Sequence, residues 1–191
     1  ANGFVGKNLM STLNYREDIE ILTYTRKDTL ETLYSYCSEA DFIVHLAGVN
    51  RTSNNDDFYA TNESLTETIV KNLIQSNNII PILLSSSIQS DLDNDYGKSK
   101  KAGEEIVLDY SKTYNVPVYV YKLPNLFGKW GIPFYNSVVA TWCHLITHKE
   151  AIEISDRDIQ LELVYIDDFV SSIIKNIDLK KREMNDFYTV T

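Results

Sequence analysis

The chain has 191 residues, 43% of them hydrophobic, which suits one domain with a sizeable core. Its formal net charge of -9 and pI of about 4.8 argue against a protein that binds the phosphate backbone of nucleic acid. The longest apolar runs, such as residues 79–84, are far too short to span a membrane, and no signal peptide or polybasic anchor is recognisable. The two cysteines do not form a disulfide framework, so we expect a cytoplasmic protein.

Predicted helices and strands alternate along the chain, which is typical of a parallel sheet with helices on both faces. The spacing of apolar residues predicts helices over residues 3–14, 29–39, 57–76, 96–114, 136–148 and 167–177. Short apolar runs predict strands over residues 20–24, 42–45, 79–84, 116–121, 151–154 and 161–166. A loop is expected at residues 125–130, and residues 187–191 have the composition of one more strand.

This order of elements predicts an α/β fold of the Rossmann type, a doubly wound parallel sheet. We expect residues 1–123 to form its dinucleotide-binding domain and residues 124–191 to form part of a smaller C-terminal substrate lobe. Because no strand precedes the first predicted helix, we also expect the first strand to be missing and the chain to be a fragment. Ligands of such sheets bind beyond the carboxyl ends of the strands, so residues at those ends are the candidates for a site.

The first predicted helix opens with Gly3, Phe4, Val5 and Gly6. Glycines at the start of a helix let a pyrophosphate approach the backbone N–H groups of the first turn. This pair therefore predicts the phosphate-binding end of a dinucleotide site. An ordinary loop with two glycines is the alternative interpretation.

The next predicted strand is followed by Arg26 and Lys27, with no acidic residue at the strand end. An acid at that position usually binds the ribose 2′-hydroxyl of NAD, whereas an arginine accommodates the 2′-phosphate of NADP. Arg26 therefore favours NADP(H) as the cofactor. A solvated basic turn is the alternative.

Two further strand ends carry small residues. Leu46, Ala47 and Gly48 follow a buried strand, and such residues let the chain pass close to a cofactor, although a plain strand-to-loop turn would look similar. Ser87 is the last of three consecutive serines at the end of the following strand. A hydroxyl placed there can hydrogen-bond a substrate carbonyl, although serines are also common at polar strand ends.

Tyr96 and Lys100 are four residues apart in the next predicted helix and therefore share a face. An ammonium beside a phenol favours the phenolate, which makes the phenol a better acid toward a carbonyl oxygen. The spacing alone is weak evidence, because the chain contains 13 tyrosines. The order of the motifs, with a glycine-rich helix start, then a serine strand and then this helix, strengthens it.

Two other groups of residues have part of the pattern of a metal site. Cys143, His144 and His148 fall on one predicted helix, but the sequence lacks the glutamate of an HExxH site. The acidic run at residues 91–95 lacks the glycine and the distal glutamate of a calcium loop. We therefore expect no metal centre.

Taken in chain order, the motifs resemble the extended short-chain dehydrogenase/reductase family, which comprises sugar-nucleotide epimerases, dehydratases and reductases. The resemblance covers essentially the whole chain. It rests on the opening glycines, His45-Leu46-Ala47-Gly48, Asn62, the serine strand, Tyr96-Gly97-Lys98-Ser99-Lys100, Pro124-Asn125-Leu126-Phe127-Gly128 and Tyr165-Ile166-Asp167-Asp168. Within the family, residues 84–89, 127–130 and 135–141 are most similar to the reductase domain of CapF-type capsular polysaccharide enzymes.

This resemblance implies an NADPH-dependent reductase. The implied reaction reduces the 4-keto group of a UDP-4-keto-6-deoxy-N-acetylhexosamine during synthesis of UDP-N-acetyl-L-fucosamine for capsule or O-antigen. Tyr96 is implied as the proton donor, Lys100 as the residue that lowers the tyrosine pKa and holds the nicotinamide ribose, and Ser87 as a hydrogen-bond donor to the same oxygen. Pro124 and Asn125 would line the nicotinamide pocket.

The resemblance also implies a homodimer and a C-terminal cupin domain in the parent protein. One departure concerns the substrate, because Leu161 stands where many family members carry an arginine for the nucleotide diphosphate. The UDP part must then be recognised in another way.

Two alternative functions stay open at this point. A 4-epimerase or 4,6-dehydratase would hold NAD tightly, which Arg26 disfavours, and a dehydratase would also need an acid near Ser87, where this chain has Ile88. A non-catalytic NADP(H)-sensing module could keep the fold without the chemistry. The intact set of Ser87, Tyr96 and Lys100 argues against that module.

Overall fold

A computed structural model describes residues 1–154, 158 and 160–179, together with the backbone of residues 187–188. Its helices are α1 Phe4–Leu13, α2 Leu30–Glu39, α3 Asp56–Phe58, α4 Leu65–Gln75, α5 Asp95–Tyr114, α6 Val138–Thr147 and α7 Ile166–Asp178. Its strands are β1 Ile43–His45, β2 Ile82–Ser87, β3 Val118–Leu123, β4 Asn125–Phe127, β5 Leu163–Tyr165 and β6 Phe187–Tyr188. A π-helical segment, Tyr59–Ser64, joins α3 to α4, and a 3₁₀ turn, Ile88–Asp91, follows β2.

The main sheet is parallel and has the strand order β1-β2-β3-β6. In its register, Ile82 of β2 lies opposite Ile43 of β1 and Val118 of β3. A separate parallel pair joins β4 to β5. Because all strands of the main sheet point the same way, the loops that follow β1, β2 and β3 emerge at one edge of the sheet.

Hydrophobic clusters cover both faces of this sheet, as the alternation of side chains along a strand requires. One cluster joins Ile82 and Leu84 of β2 to Leu73 of α4 and Val107 of α5. The other joins Leu83 of β2 to side chains of α1 and α7 that include Leu9, Leu13, Phe169 and Ile173. The chain is therefore a doubly wound α/β protein, as its sequence predicts.

Two predicted strands are absent from the described residues, over residues 20–24 and 151–154. A strand persists only beside a hydrogen-bonded neighbour, and β1 pairs with β2 alone among the described strands. In a doubly wound sheet, the strand ahead of the first helix lies between the positions of residues 20–24 and β1. Residues 1–3 form no strand there, although the amino group of Ala1 reaches the carbonyl of Tyr24 at 3.5 Å.

Two other differences concern local structure. Part of the predicted loop at residues 125–130 forms β4, because β5 provides it with a partner. The predicted helix over residues 57–76 forms, but it contains the π-helical segment, in which one extra residue is accommodated per turn. Of the predicted strand at residues 187–191, only residues 187–188 are described, and they pair with β3.

No helix in the described part of the chain has both the length and the apolar composition needed to cross a bilayer.

Candidate active site

A cleft of about 1380 Å³ lies at the carboxyl edge of the main sheet. All the residues that the sequence singles out for a site line this one cleft: Gly3, Phe4, Val5, Gly6, Arg26, Leu46, Ala47, Gly48, Ser87, Tyr96, Lys100, Pro124 and Asn125. They come from separate segments, so the parallel strand order brings them together.

The glycine end of the cleft is formed by the N-terminus of α1. Gly3 caps the helix without a side-chain hydrogen bond, and no acidic residue lies in the first turn. The backbone N–H groups of that turn therefore remain available to an anion, which the helix dipole also favours. A β-carbon at Gly6 would collide with the carbonyl of Ala1, so glycine is required for this close approach.

The turn after residues 20–24 presents Arg26 and Lys27, both exposed and both lining the cleft. Asp28 is the nearest acid, but its carboxylate accepts hydrogen bonds from Thr25 N and Thr25 Oγ1, each at 2.7 Å. These bonds lower the pKa of Asp28 and hold it within the turn. The acid is thus occupied by the turn itself, while the two cations face the cleft.

The charges of the cleft differ in sign from those of the protein as a whole. The described residues that line it include five cations and one carboxylate, whereas the net charge of the chain is -9. These charged residues are Lys7, Arg26, Lys27, Arg51, Lys100 and Glu153. A cleft with an excess of positive charge concentrates anionic ligands such as phosphate esters.

Tyr96 enters the cleft from the first turn of α5. Asn94 caps this helix, because its Oδ1 accepts a hydrogen bond from Gly97 N at 2.7 Å. Burial raises the pKa of the Tyr96 phenol, and a hydrogen bond with Ser87 opposes that effect. The phenol therefore stays protonated at neutral pH and contacts the hydroxyl with which it is predicted to act.

Lys100 is buried one helical turn further along α5, with 8% of its surface exposed. Its Nζ donates a hydrogen bond to the main-chain carbonyl of Ser85 at 3.1 Å. Burial lowers the pKa of Lys100 to about 8, and the charge of Glu104 opposes this. The ammonium is thus directed at the backbone of β2. That Lys100 lowers the pKa of Tyr96 stays a prediction.

His45 lies at the end of β1 and is also buried. Its Nε2 lies 3.0 Å from Thr66 Oγ1. Burial and the nearby charge of Lys100 lower its pKa to about 3. His45 is therefore neutral under ordinary conditions and leaves the ammonium of Lys100 as the local charge.

Gly48 lies against the groups that would hold the ribose of a dinucleotide. A β-carbon there would come within 2.8 Å of Lys100 Nζ and 3.2 Å of Asn62 Oδ1. The backbone consequently passes close to both side chains without filling the cleft above them. Together with the open N-terminus of α1 and the excess of cations, this close approach fits a nicotinamide dinucleotide.

Two buried polar residues near Lys100 were not given a site role from the sequence. Asn62 could have been identified from its place in the family pattern. Its contacts with Val49 and Ser99, however, depend on the π-helical geometry. Glu104 could have been found from helical spacing, because it lies four residues after Lys100 on the buried face of α5.

The far wall of the cleft comes from residues after β3. Pro124 and Asn125 lie at the end of that strand, and the wall continues through Trp130, Tyr135 and Trp142. This wall is aromatic and offers no cation among its described residues, in keeping with Leu161 in place of an arginine.

Among the described residues, no group of three or more His, Cys, Asp or Glu side chains is placed to hold a metal ion. His144 and His148 instead stack on each other, with their ring centroids 4.0 Å apart.

Comparisons with known proteins agree with this geometry. The NAD dependent epimerase/dehydratase family matches residues 1–188. A UDP-2-acetamido-2,6-beta-L-arabino-hexul-4-ose reductase of Pseudomonas aeruginosa is 43% identical over 180 residues, which cover 94% of this chain and 48% of that protein. A GDP-6-deoxy-D-talose 4-dehydrogenase of Aggregatibacter actinomycetemcomitans is 31% identical over 135 residues, covering 57% of this chain and 46% of that protein.

Among solved structures, the capsular polysaccharide assembling protein CapF from Staphylococcus aureus is similar over 98% of this chain and 50% of its own, with a TM-score of 0.81 and 40% identity. The chain therefore spans about half the length of the relatives it matches.

Proposed function

The chain belongs to the NAD dependent epimerase/dehydratase family, and from that premise we propose that it is the reductase part of a capsule or O-antigen enzyme. In this proposal, it reduces the 4-keto group of a UDP-4-keto-6-deoxy-N-acetylhexosamine with NADPH, in the synthesis of UDP-N-acetyl-L-fucosamine. The observation that carries the proposal is the convergence of Ser87, Tyr96 and Lys100 in one cationic cleft. The Pseudomonas aeruginosa reductase and the Staphylococcus aureus CapF structure support the choice of substrate.

Proton transfer is assigned to Tyr96. Its phenol is protonated at neutral pH, because partial burial raises its pKa, and the side chain of Ser87 is close enough to oppose that rise. A keto oxygen placed between these two hydroxyls would accept a hydrogen bond from each. Tyr96 would then transfer its proton to that oxygen as negative charge develops there, while Ser87 keeps the carbonyl oriented.

Lys100 acts from the same helix face. Its buried ammonium, one turn from Tyr96, stabilises the phenolate left after proton transfer and would hold the nicotinamide ribose next to Gly48. The hydride for C4 of the sugar is supplied by the reduced nicotinamide when that cofactor is bound.

The preference for NADPH is assigned to Arg26. This exposed cation lines the glycine end of the cleft beside the open N-terminus of α1, while Asp28 is held by Thr25. A guanidinium at this place would bind a 2′-phosphate, and the occupied acid would not be available to a ribose 2′-hydroxyl.

A 4,6-dehydratase is disfavoured by the surroundings of Ser87. The following residue is Ile88, and Glu153 is the one carboxylate among the described residues that line the cleft. Elimination of water from C5 and C6 needs a general acid or base beside the sugar, and the residue after Ser87 cannot supply one. A 4-epimerase and an NADP(H)-sensing module are distinguished by experiment.

Four further predictions accompany the proposal. The homodimer, the C-terminal cupin domain and the cytoplasmic location expected from the resemblance stay predictions. So does the division into a dinucleotide-binding domain at residues 1–123 and a substrate lobe at residues 124–191.

The direct test uses the full-length protein that contains this chain. NADPH oxidation is followed by absorbance with a UDP-4-keto-6-deoxy-N-acetylhexosamine, with NADH in a parallel reaction. We expect oxidation of NADPH and little of NADH. An altered sugar without oxidation of either cofactor would indicate epimerisation beside the ketone instead of reduction, and NADPH binding with no change in any sugar would indicate a sensor.

A further inference from the structure

Glu104 is a buried carboxylate with no role in the reaction as described so far. Only 1% of its surface is exposed, and it lies on α5 four residues after Lys100, on the same buried face of the helix. A charged side chain this deep is costly to bury unless it is paired. Its contacts therefore indicate what keeps it there.

The two buried charged side chains of α5 bind consecutive residues of β2. Lys100 Nζ donates to the carbonyl of Ser85 at 3.1 Å, and Ser86 Oγ donates to Glu104 Oε1. The next residue of the strand is Ser87, which contacts Tyr96. One helix face and one strand end are thus joined at three successive strand residues.

The second carboxylate oxygen of Glu104 has no hydrogen-bond partner among the described residues. The ammonium of Lys122 on β3 lies 3.7 Å from it, outside hydrogen-bonding distance, and is itself bound to Asp91 at 2.9 Å. The Oε2 atom of Glu104 thus faces the ammonium of Lys122 as an ion pair without a direct hydrogen bond. Lys100 lies one helical turn before Glu104 on the same buried face of α5.

We propose that Glu104 is a positioning residue, which keeps the ammonium of Lys100 charged and locks α5 onto β2 so that Lys100, Tyr96 and Ser87 face one substrate oxygen. The inference rests on the proposed function, because it assigns a purpose to the charge on Lys100. Glu104 does not line the cleft and would touch neither the substrate nor the cofactor.

The charged and titratable groups that face Lys100 from neighbouring elements are few. His45 on β1 is neutral, since burial lowers its pKa to about 3. Tyr96 stays protonated, since burial raises its pKa. Glu104 opposes the effect of burial on Lys100, whose pKa is about 8, and Lys122 on β3 faces Glu104 rather than the cleft.

The experiment compares Glu104→Gln with Glu105→Gln in the full-length protein. The first change removes the charge but keeps a group that can accept the Ser86 hydrogen bond, and the second removes an equivalent charge from the exposed side of α5. The pKa of Lys100 is measured without cofactor by NMR titration of ¹³Cε-labelled lysines, with the signal assigned from a Lys100→Met variant. The basic limb of the pH profile of kcat/KM is measured alongside.

We expect Glu104→Gln to lower the pKa of Lys100 by about one unit or more, and to move the basic limb of the pH profile down by a similar amount. Glu105→Gln should leave both unchanged. An unchanged Lys100 titration in folded Glu104→Gln would overturn the proposal, as would a shifted titration with an unmoved pH profile.

A second variant, Lys122→Met, keeps the test decisive if Glu104→Gln does not fold. Removing this cation leaves Glu104 with Lys100 as its nearest countercharge, so the pKa of Lys100 should rise instead of fall; a fall or no change would overturn the proposal. If the wild-type protein does not oxidise NADPH with the keto sugar, the proposed function fails. The NMR titration then still decides whether Glu104 controls the charge on Lys100.

Discussion

Asn62 and Val49 exchange hydrogen bonds in both directions. Asn62 Oδ1 accepts from Val49 N at 3.1 Å, and Asn62 Nδ2 donates to Val49 O at 3.2 Å. This pair fastens the loop after β1 to the π-helical segment, directly beside Gly48 and Lys100. The wall on which a nicotinamide ribose would rest is therefore fixed by one buried amide.

Replacing that amide should loosen the wall. In Asn62→Ala, both Val49 groups lose their partner, so we expect the free energy of unfolding to fall by about 1–3 kcal/mol and the KM for NADPH to rise. Urea unfolding and steady-state kinetics measure the two effects. The exposed Asn14→Ala is the control and should change neither. An unchanged KM in Asn62→Ala would show that this wall does not bind the cofactor.

Tyr96→Phe removes the proposed proton donor and leaves the ring in place. We expect kcat to fall by about 10²–10⁴-fold, with the dissociation constant for NADPH little changed, because the hydroxyl acts on the substrate oxygen. Stopped-flow turnover and fluorescence titration of NADPH measure these quantities separately. Tyr59→Phe removes a hydroxyl that binds Asp95 outside the cleft and serves as the matched control. Full activity in Tyr96→Phe would rule out the proton-donor role.

Lys100 should cost the protein stability. Its folded pKa of about 8 is below the ordinary value of 10.5, so the unfolded chain binds this proton more tightly. The folded state is therefore penalised at pH values below 8, and the penalty fades as the pH rises toward 10.5. Lys100→Met should be inactive yet more stable at neutral pH, by up to ~3 kcal/mol.

Urea unfolding of Lys100→Met and of the wild type measures this difference in the free energy of unfolding at neutral pH and near pH 10.5. We expect the variant to be the more stable at neutral pH and the difference to shrink at the higher pH. A variant less stable than wild type at neutral pH would mean that the hydrogen bond to Ser85 outweighs the cost of burying the charge.

Arg26→Gln should affect the cofactor selectively. Losing a charge-assisted contact with the 2′-phosphate should raise the KM for NADPH about tenfold or more and leave the KM for NADH nearly unchanged. Lys112→Gln, which removes an exposed cation outside the cleft, controls for the change in net charge. Equal changes in the KM values for NADPH and NADH would show that Arg26 does not bind the 2′-phosphate.

The sequence predicts the parallel sheet and the residues that line the cleft better than it predicts the electrostatics of the cleft. Strand ends are recognisable from apolar runs, and in a parallel sheet they meet at one edge, so Gly48, Ser87 and Pro124 are found in one cleft. The strand predicted at residues 20–24 does not form, because a strand needs a hydrogen-bonded neighbour. No local sequence pattern indicates whether that neighbour is present.

The electrostatic surroundings are set by burial. Lys100 is directed at Ser85, and the pKa of Tyr96 is raised, because both side chains are enclosed by packing that only the folded chain provides. Glu104 likewise becomes significant only once its depth and its contact with Ser86 are known.

The most direct test of the central claim is isotope transfer. The full-length protein is incubated with a UDP-4-keto-6-deoxy-N-acetylhexosamine and NADPH that carries deuterium at C4 of the nicotinamide, on the face from which hydride is transferred, and the sugar product is examined by NMR and mass spectrometry. The account predicts one deuterium at C4 of the sugar for each NADPH oxidised. A sugar whose C4 ketone is reduced to the alcohol without gaining deuterium would contradict it, since the hydride would then have come from a cofactor that the protein retains.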